Sequence, residues 1–141
     1  MKFIIKLILP LIFLCGFAYS QVAIIANKSV PLNDIDKNQL MDYYSKDIKF
    51  WENGEPVILF NLKVKNKAHE NFYKFLGKSS SRMKSVWLKK MLLGEGEPPE
   101  ALNSEEEMLR KIINTPGSIG FINPDMVSEK VKLLKIIKNE D

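Results

Sequence analysis

Short apolar runs alternate with helix-start signals along this chain, and that alternation restricts the fold more than any other feature. Val22 to Ala26 (VAIIA) is a continuous apolar run of strand length, the pattern of a strand buried on both faces. A polar stretch with Pro31 follows, and then a helix start. Asp36 stands in N-cap position, Gln39 completes a capping box three residues later, and Ile35 and Leu40 can staple across it. Leu40, Tyr43 and Tyr44 then face the core. Asn53-Gly54 marks a tight turn, and Pro56 to Phe60 (PVILF) reads as a second buried strand. Trp51, beside that turn, fits either the core or a half-exposed rim.

Asn66 can cap the next helix, which places Ala68, Phe72, Phe75 and Leu76 on one face and closes at Gly77. Ser79 to Ser81 opens another, with Met83, Val86, Trp87 and Met91 inward and Gly94 as its stop. After a loop from Gly94 to Pro99, Ser104 and Glu107 form a second capping box leading into Met108, Leu109, Ile112 and Ile113. Asn114 to Gly117 (NTPG) turns the chain and Ile119 to Ile122 is a short strand. Val131 to Ile137, apolar with lysines interleaved, reads as an edge strand. Strands alternating with helices predict an α/β fold: a single small domain with a mostly parallel sheet flanked by helices. The sequence contains no internal repeat and no low-complexity linker.

Residues 1–20 read as an address rather than as part of that domain. Lys2 and Lys6 give a positive start, Leu7 to Phe17 is almost wholly apolar, and Ala18-Tyr19-Ser20 offers small residues two apart. This is the layout of a secretory signal peptide cleaved after Ser20. The apolar stretch is shorter than the roughly 20 residues that span a bilayer, and Leu14 before Cys15 is too large for a lipid-attachment site. Removing twenty of the 141 residues leaves a domain over 21–141, enough for one modest core. The only cysteine, Cys15, leaves with the signal, so packing alone must hold the exported chain. Two of the four net positive charges leave as well, and the rest of the basic residues form no clustered stripe. Nucleic acid is therefore not an expected partner.

Catalytic and metal-binding patterns are missing. His69 is the only histidine; His69-Glu70 begins like a zinc-protease motif, but Tyr73 occupies the position the second histidine needs. No phosphate-cradling glycine loop ends in Gly-Lys-Ser/Thr. His69, in a first helical turn, reads as solvated. Glu105, Glu106 and Glu107 resemble acid–base carboxylates but more simply favour the positive end of a helix dipole. The reading is a protein that is not an enzyme and uses no cofactor.

Several stretches, in order, carry a resemblance: Val22 to Asn27 (VAIIAN), Trp51 to Gly54 (WENG), Trp87, Leu93 to Pro99 (LGEGEPP) and Thr115 to Phe121 (TPGSIGF). Together these are similar to the phosphate-binding proteins of ABC-type phosphate importers, and most of all to short, single-domain members of that group. The resemblance spans roughly Val22 to Ile137. It implies one lobe of a type II periplasmic binding protein, a periplasmic location, no catalytic activity, and a membrane transporter or sensor subunit as partner.

One departure bears on the ligand. In the family, the helix after the second strand begins Ser-Gly-Thr with an arginine shortly before, and its hydroxyls and backbone amides hold the anion at the helix N-terminus. Here the matching residues are Asn66-Lys67-Ala68, and Leu62 stands upstream with no arginine near. Lys63, Lys65 and Lys67 bring charge to the same place without bidentate geometry. The expected site for phosphate or a similar oxyanion is weak: backbone N–H groups of Lys67 and Ala68, the Asn66 side chain, the charge of Lys65, and Ser29 reaching in from the loop after the first strand. The alternative is a binding-fold module that has lost its ligand and serves as a periplasmic interaction or structural protein.

Overall fold

The structure is a computed structural model that describes residues 20–139. The predicted signal segment, Ser20 apart, lies outside the described residues. Strands and helices occur in the order β1 (Ser20–Ala26), α1 (Lys37–Tyr44), β2 (Ile58–Leu62), α2 (Lys67–Leu76), α3 (Ser80–Leu92), β3 (Glu100–Leu102), α4 (Glu105–Asn114), β4 (Ser118–Ile122) and β5 (Lys132–Asn139), with a short 3-10 turn at Pro124–Met126.

The helix starts form where capping chemistry places them. Asp36 Oδ1 accepts from Gln39 N while Gln39 Oε1 accepts from Asp36 N, so both halves of the first box close. Asn66 and Ser79 cap α2 and α3 with their side chains alone, accepting from His69 N and Arg82 N. At α4 the predicted box forms in one half only. Ser104 Oγ accepts from Glu107 N, but the Glu107 carboxylate reaches one residue further back, to Asn103 N.

The sheet order is β3-β2-β4-β1-β5. β2 pairs in parallel with β3 and β4, whereas β1 pairs antiparallel with both β4 and β5. Four strands therefore run one way and β1 alone runs the other. The expectation of a mostly parallel sheet holds for strand direction but not for pairing, because the one reversed strand sits between two others. β5 is an edge strand, as its interleaved lysines suggest. β2 starts two residues later than PVILF implies, and Ile58 at its start is exposed.

Two layers of helix cover this sheet. On β4, Phe121 stacks on Phe72 of α2 with ring centroids 3.9 Å apart. A Cβ on its neighbour Gly120 would lie 2.5 Å from Met108 Sδ and 2.8 Å from Ile112 Cδ1 of α4. Successive strand residues face opposite sides, so α2 and α4 pack on opposite faces, and Gly120 is what lets α4 approach the sheet. β1, fully buried from Val22 to Ala26, runs between them. Both tryptophans belong to this core: Trp51 Nε1 donates to the Gly117 carbonyl at 2.9 Å and Trp87 Nε1 to the Tyr44 carbonyl at 2.6 Å.

α3 departs from its expected phase. Met83 and Trp87 are buried and Val86 is partly so, but Met91 is exposed together with Leu88, Leu92 and Leu93. Only the middle of that helix is seated on the core.

Candidate functional site

The N-terminal end of α2 is where sequence reasoning places an anion. Asn66 is extended (φ −91°, ψ −174°), and its Oδ1 accepts from His69 N at 3.0 Å. The elements that meet there are the C-terminal ends of β2 and β4 and the start of α4.

A carboxylate already sits in this corner. The Asn66 side chain donates from Nδ2 to Glu105 Oε2 at 3.4 Å, and the backbone N–H of Asn123, just past β4, donates to Glu105 Oε1 at 2.5 Å. Glu105 is the first residue of α4, so the dipole of α4 also favours its charge. The protein supplies its own oxyanion beside the α2 cap. Sequence reasoning missed this role, because a first-turn glutamate is adequately explained by its own helix. Only the sheet order brings α4 and the end of β4 against the Asn66 turn.

The other expected residues separate. Ala68 is buried beneath the first turn, leaving its backbone as the only part that could reach a ligand. Lys67 lies along the outside of the helix, with Nζ 3.7 Å from Glu70 Oε2 and the two side chains 80% and 62% exposed. Such a pair is screened by solvent and adds little to stability. Lys65 is exposed, and its charge helps hold the His69 imidazole below its usual pKa.

Ser29 does not belong to this site. β1 runs against β4, so its C-terminal end lies beside Ser118 at the start of β4, whereas Asn66 reaches Glu105, which also holds Asn123 beyond the end of β4. Five residue steps, about 16 Å at roughly 3.3 Å each, separate Ser118 from Asn123. Ser29 instead completes the turn before β4: its Oγ accepts from Gly117 N at 2.9 Å and its N–H donates to Asn27 Oδ1. The inference that strand ends converge required β1 to run parallel, and it does not.

His69 also differs from expectation. It is 7% exposed and packs on Tyr73, with ring centroids 4.7 Å apart. Burial, then Lys65 and Lys84, push its pKa down, while Glu70 opposes them. Beneath it, Tyr73 Oη donates to Asn61 Oδ1 at 2.7 Å, and burial raises that phenol well above its ordinary value. These groups form a buried polar seam under α2, not an open reactive centre. Among the described residues no cluster of three His, Cys, Asp or Glu side chains could hold a metal ion, and no helix is long and apolar enough to cross a membrane.

Comparison with solved structures gives this fold a context. The chain superposes on a protein from Clostridium perfringens described as a phosphate ABC transporter substrate-binding protein with bound phosphate. The TM-score is 0.66 at 17% identity, over 81% of this chain and 44% of that one. An ABC-type phosphate transport receptor from Vibrio cholerae matches with a TM-score of 0.63 at 18% identity, over 81% and 45%. PstS from Borrelia burgdorferi matches with a TM-score of 0.59 at 14% identity, over 82% and 47%. The chain thus has the α/β fold of part of the phosphate substrate-binding proteins and spans less than half the length of the structures it matches. No family model matches the sequence, and no curated protein does.

Proposed function

We propose that this protein is an exported, non-catalytic solute-binding domain that takes phosphate or a similar oxyanion weakly, in the service of a membrane transporter or sensor subunit. The observation that carries this reading is the shared fold: four-fifths of the chain superposes on phosphate substrate-binding proteins, one of them crystallised with phosphate. The ligand would sit at the α2 N-terminus, on the backbone amides of Lys67 and Ala68 and the Asn66 side chain, with Lys65 adding charge. Ser29 has no part in it.

Two features support the weakness of that binding. The Glu105 carboxylate, held by Asn66 Nδ2 and Asn123 N, lies where a second anion would be repelled. Binding proteins of this kind close two lobes around a ligand, and this chain matches less than half of such a protein. A second surface, from a partner, would have to complete the burial.

Glu105 also favours a second reading, in which the carboxylate has taken over the position of the ligand and the domain acts as an interaction module in the periplasm. Calorimetric titration of the exported domain with phosphate and with sulfate distinguishes the two. Salt-sensitive heats supports the solute-binding reading; silence from both anions supports the module.

A further inference from the structure

We propose that Lys46 is a covalent capture site for short aliphatic aldehydes, which its side-chain amine takes up as an imine in a hollow between the end of α1 and the start of β2. The hollow lies at the opposite end of β2 from the Asn66 corner and does not depend on the oxyanion reading.

The backbone first fixes where this amine can be. Lys46 directly follows the C-cap of α1, its N–H donates to the Tyr43 carbonyl at 3.0 Å, and its φ is +67°. That left-handed position is one where glycine is usual, because a Cβ is crowded there. Gly96 makes room for the stem: a Cβ on Gly96 would stand 3.4 Å from Lys46 Cδ. The half-buried side chain thus lines a hollow of about 100 Å³ that Tyr43, Ile48, Val57 and Leu59 also wall.

Its charge is left without a partner. Among the described residues, no hydrogen bond or ion pair holds Lys46 Nζ. Asp47, next in sequence, and Glu95, which lines the hollow, are both taken by Lys90, whose Nζ lies 2.9 Å and 3.4 Å from them. Lys49 lines the same hollow and adds a second positive charge. An ammonium with apolar walls, a like charge beside it and no carboxylate in contact gives up its proton more readily than an exposed lysine. Burial first, and then Lys49, lower its pKa from the ordinary lysine value, with Glu97 opposing them. Desolvation and a neighbouring cation are the two conditions that make a lysine amine a nucleophile toward carbonyl carbon.

The reaction balances without a co-reactant. The Nζ lone pair attacks the aldehyde carbon, and one amine proton passes to the oxygen to give a carbinolamine. The hydroxyl then leaves with the second amine proton as water, and a C=N bond remains. Nothing is oxidised or reduced. The small hollow and its Ile48, Val57 and Leu59 walls select a short alkyl chain. Exposed lysines such as Lys28 and Lys138 offer the amine without the walls.

The test uses limiting propanal with sodium cyanoborohydride at about pH 7.5, which reduces the imine to a stable propyl amine, and maps the modified lysines by peptide mass spectrometry over time. Lys46 should be propylated severalfold faster than Lys28 and Lys138. Its lead should shrink toward about pH 10.5, where exposed lysines also lose their protons, and vanish in guanidinium-unfolded protein. Lys49→Ala should slow Lys46 by removing the like charge, and Ile48→Asp should slow it by placing a carboxylate at the hollow. Lys46→Arg should abolish the fast product. Melting curves confirm that each variant is folded.

Propylation of Lys46 no faster than that of Lys28 and Lys138 would overturn the proposal. So would a lead that survives unfolding, a rate unchanged by Lys49→Ala or by Ile48→Asp, or a fast product that moves to Lys49 in Lys46→Arg.

Discussion

The indole N–H of Trp87 donates to the Tyr44 carbonyl at 2.6 Å, and this single buried bond ties α3 to the last turn of α1. Tyr44 is fixed in turn from below, where its Oη donates to the Phe60 carbonyl in β2 at 2.8 Å. Since Met83 and Trp87 are the only fully buried residues of α3, the seating of the whole helix depends on them. Trp87→Ala should cost about 3–5 kcal/mol in denaturant unfolding, the range for emptying a large aromatic site. Trp87→Phe keeps most of the volume, leaves the carbonyl unpartnered, and should cost about 1–3 kcal/mol. A loss below about 1 kcal/mol for the alanine variant would mean that α3 is not held through this contact.

Gly117 anchors the other tryptophan of the core. Its φ is +76°, and a Cβ there would stand 2.5 Å from the Pro56 carbonyl oxygen, while its own carbonyl receives the Trp51 indole and Ile58 N. Gly117→Ala should therefore destabilise by at least about 2 kcal/mol, through backbone strain and a backbone clash together. Equilibrium unfolding with Gly94→Ala as control checks this, because Gly94 has positive φ but open space around it.

These two contacts also show which parts of the fold were legible. Local chemistry was readable: Asp36 with Gln39, Asn66, and Gly77 at φ +81° set helix ends where sequence rules place them. Trp87 could be assigned to the core because its apolar spacing with Met83 is helical. β3 was not readable, since three residues, two of them exposed, carry no periodic signal. The direction of β1 was not readable either. VAIIA reads the same in both directions, and the choice is made by its pairing with β4 and β5. That one choice moved Ser29 to the far end of the sheet, while the placement of α4 beside the ends of β2 and β4 brought Glu105 to the Asn66 cap. Met91 escaped the core because α3 is seated only at its middle.

His69 gives a pH dependence with a definite sign. Its folded-state pKa is lowered, by burial first and by Lys65 and Lys84 next, below the ordinary value of 6.5. Between the folded and unfolded values the unfolded chain binds more protons, so stability rises with pH there. The contribution is complete above about pH 6.5 and is lost as pH falls through the folded-state value. Thermal unfolding from pH 7.5 to 5 should show the midpoint falling more steeply for the native protein than for His69→Gln. Parallel slopes would mean that the imidazole is solvated after all.

Export makes a separate prediction. β1 begins at Ser20, paired with Asn139, and its ladder continues from Gln21 opposite Lys138. Cleavage after Ser20 would remove one ladder residue and leave the strand intact. Mass spectrometry of the secreted protein should find Gln21 as the first residue. An intact Met1 in the membrane fraction would contradict the signal-peptide reading.

The Asn66 corner is where the two functional readings separate. Glu105→Gln removes the negative charge beside the α2 cap while keeping an oxygen that can accept from Asn123 N. It should weaken the fold slightly, by about 1 kcal/mol, as a charge-assisted hydrogen bond becomes a neutral one. On the solute-binding reading, relief of repulsion should tighten phosphate by about tenfold, since two charges a few ångströms apart in a partly wet site interact by at least about 1 kcal/mol. Binding should also be salt-dependent, because exposed lysine charges are screened over about 8 Å at physiological ionic strength. Replacing Lys65 and Lys67 together with Ala should remove most of it. Tight phosphate binding in high salt that ignores both variants would place the ligand elsewhere. If neither the native protein nor Glu105→Gln takes up phosphate or sulfate, the carboxylate is not a competitor but a permanent substitute, and the interaction-module reading stands.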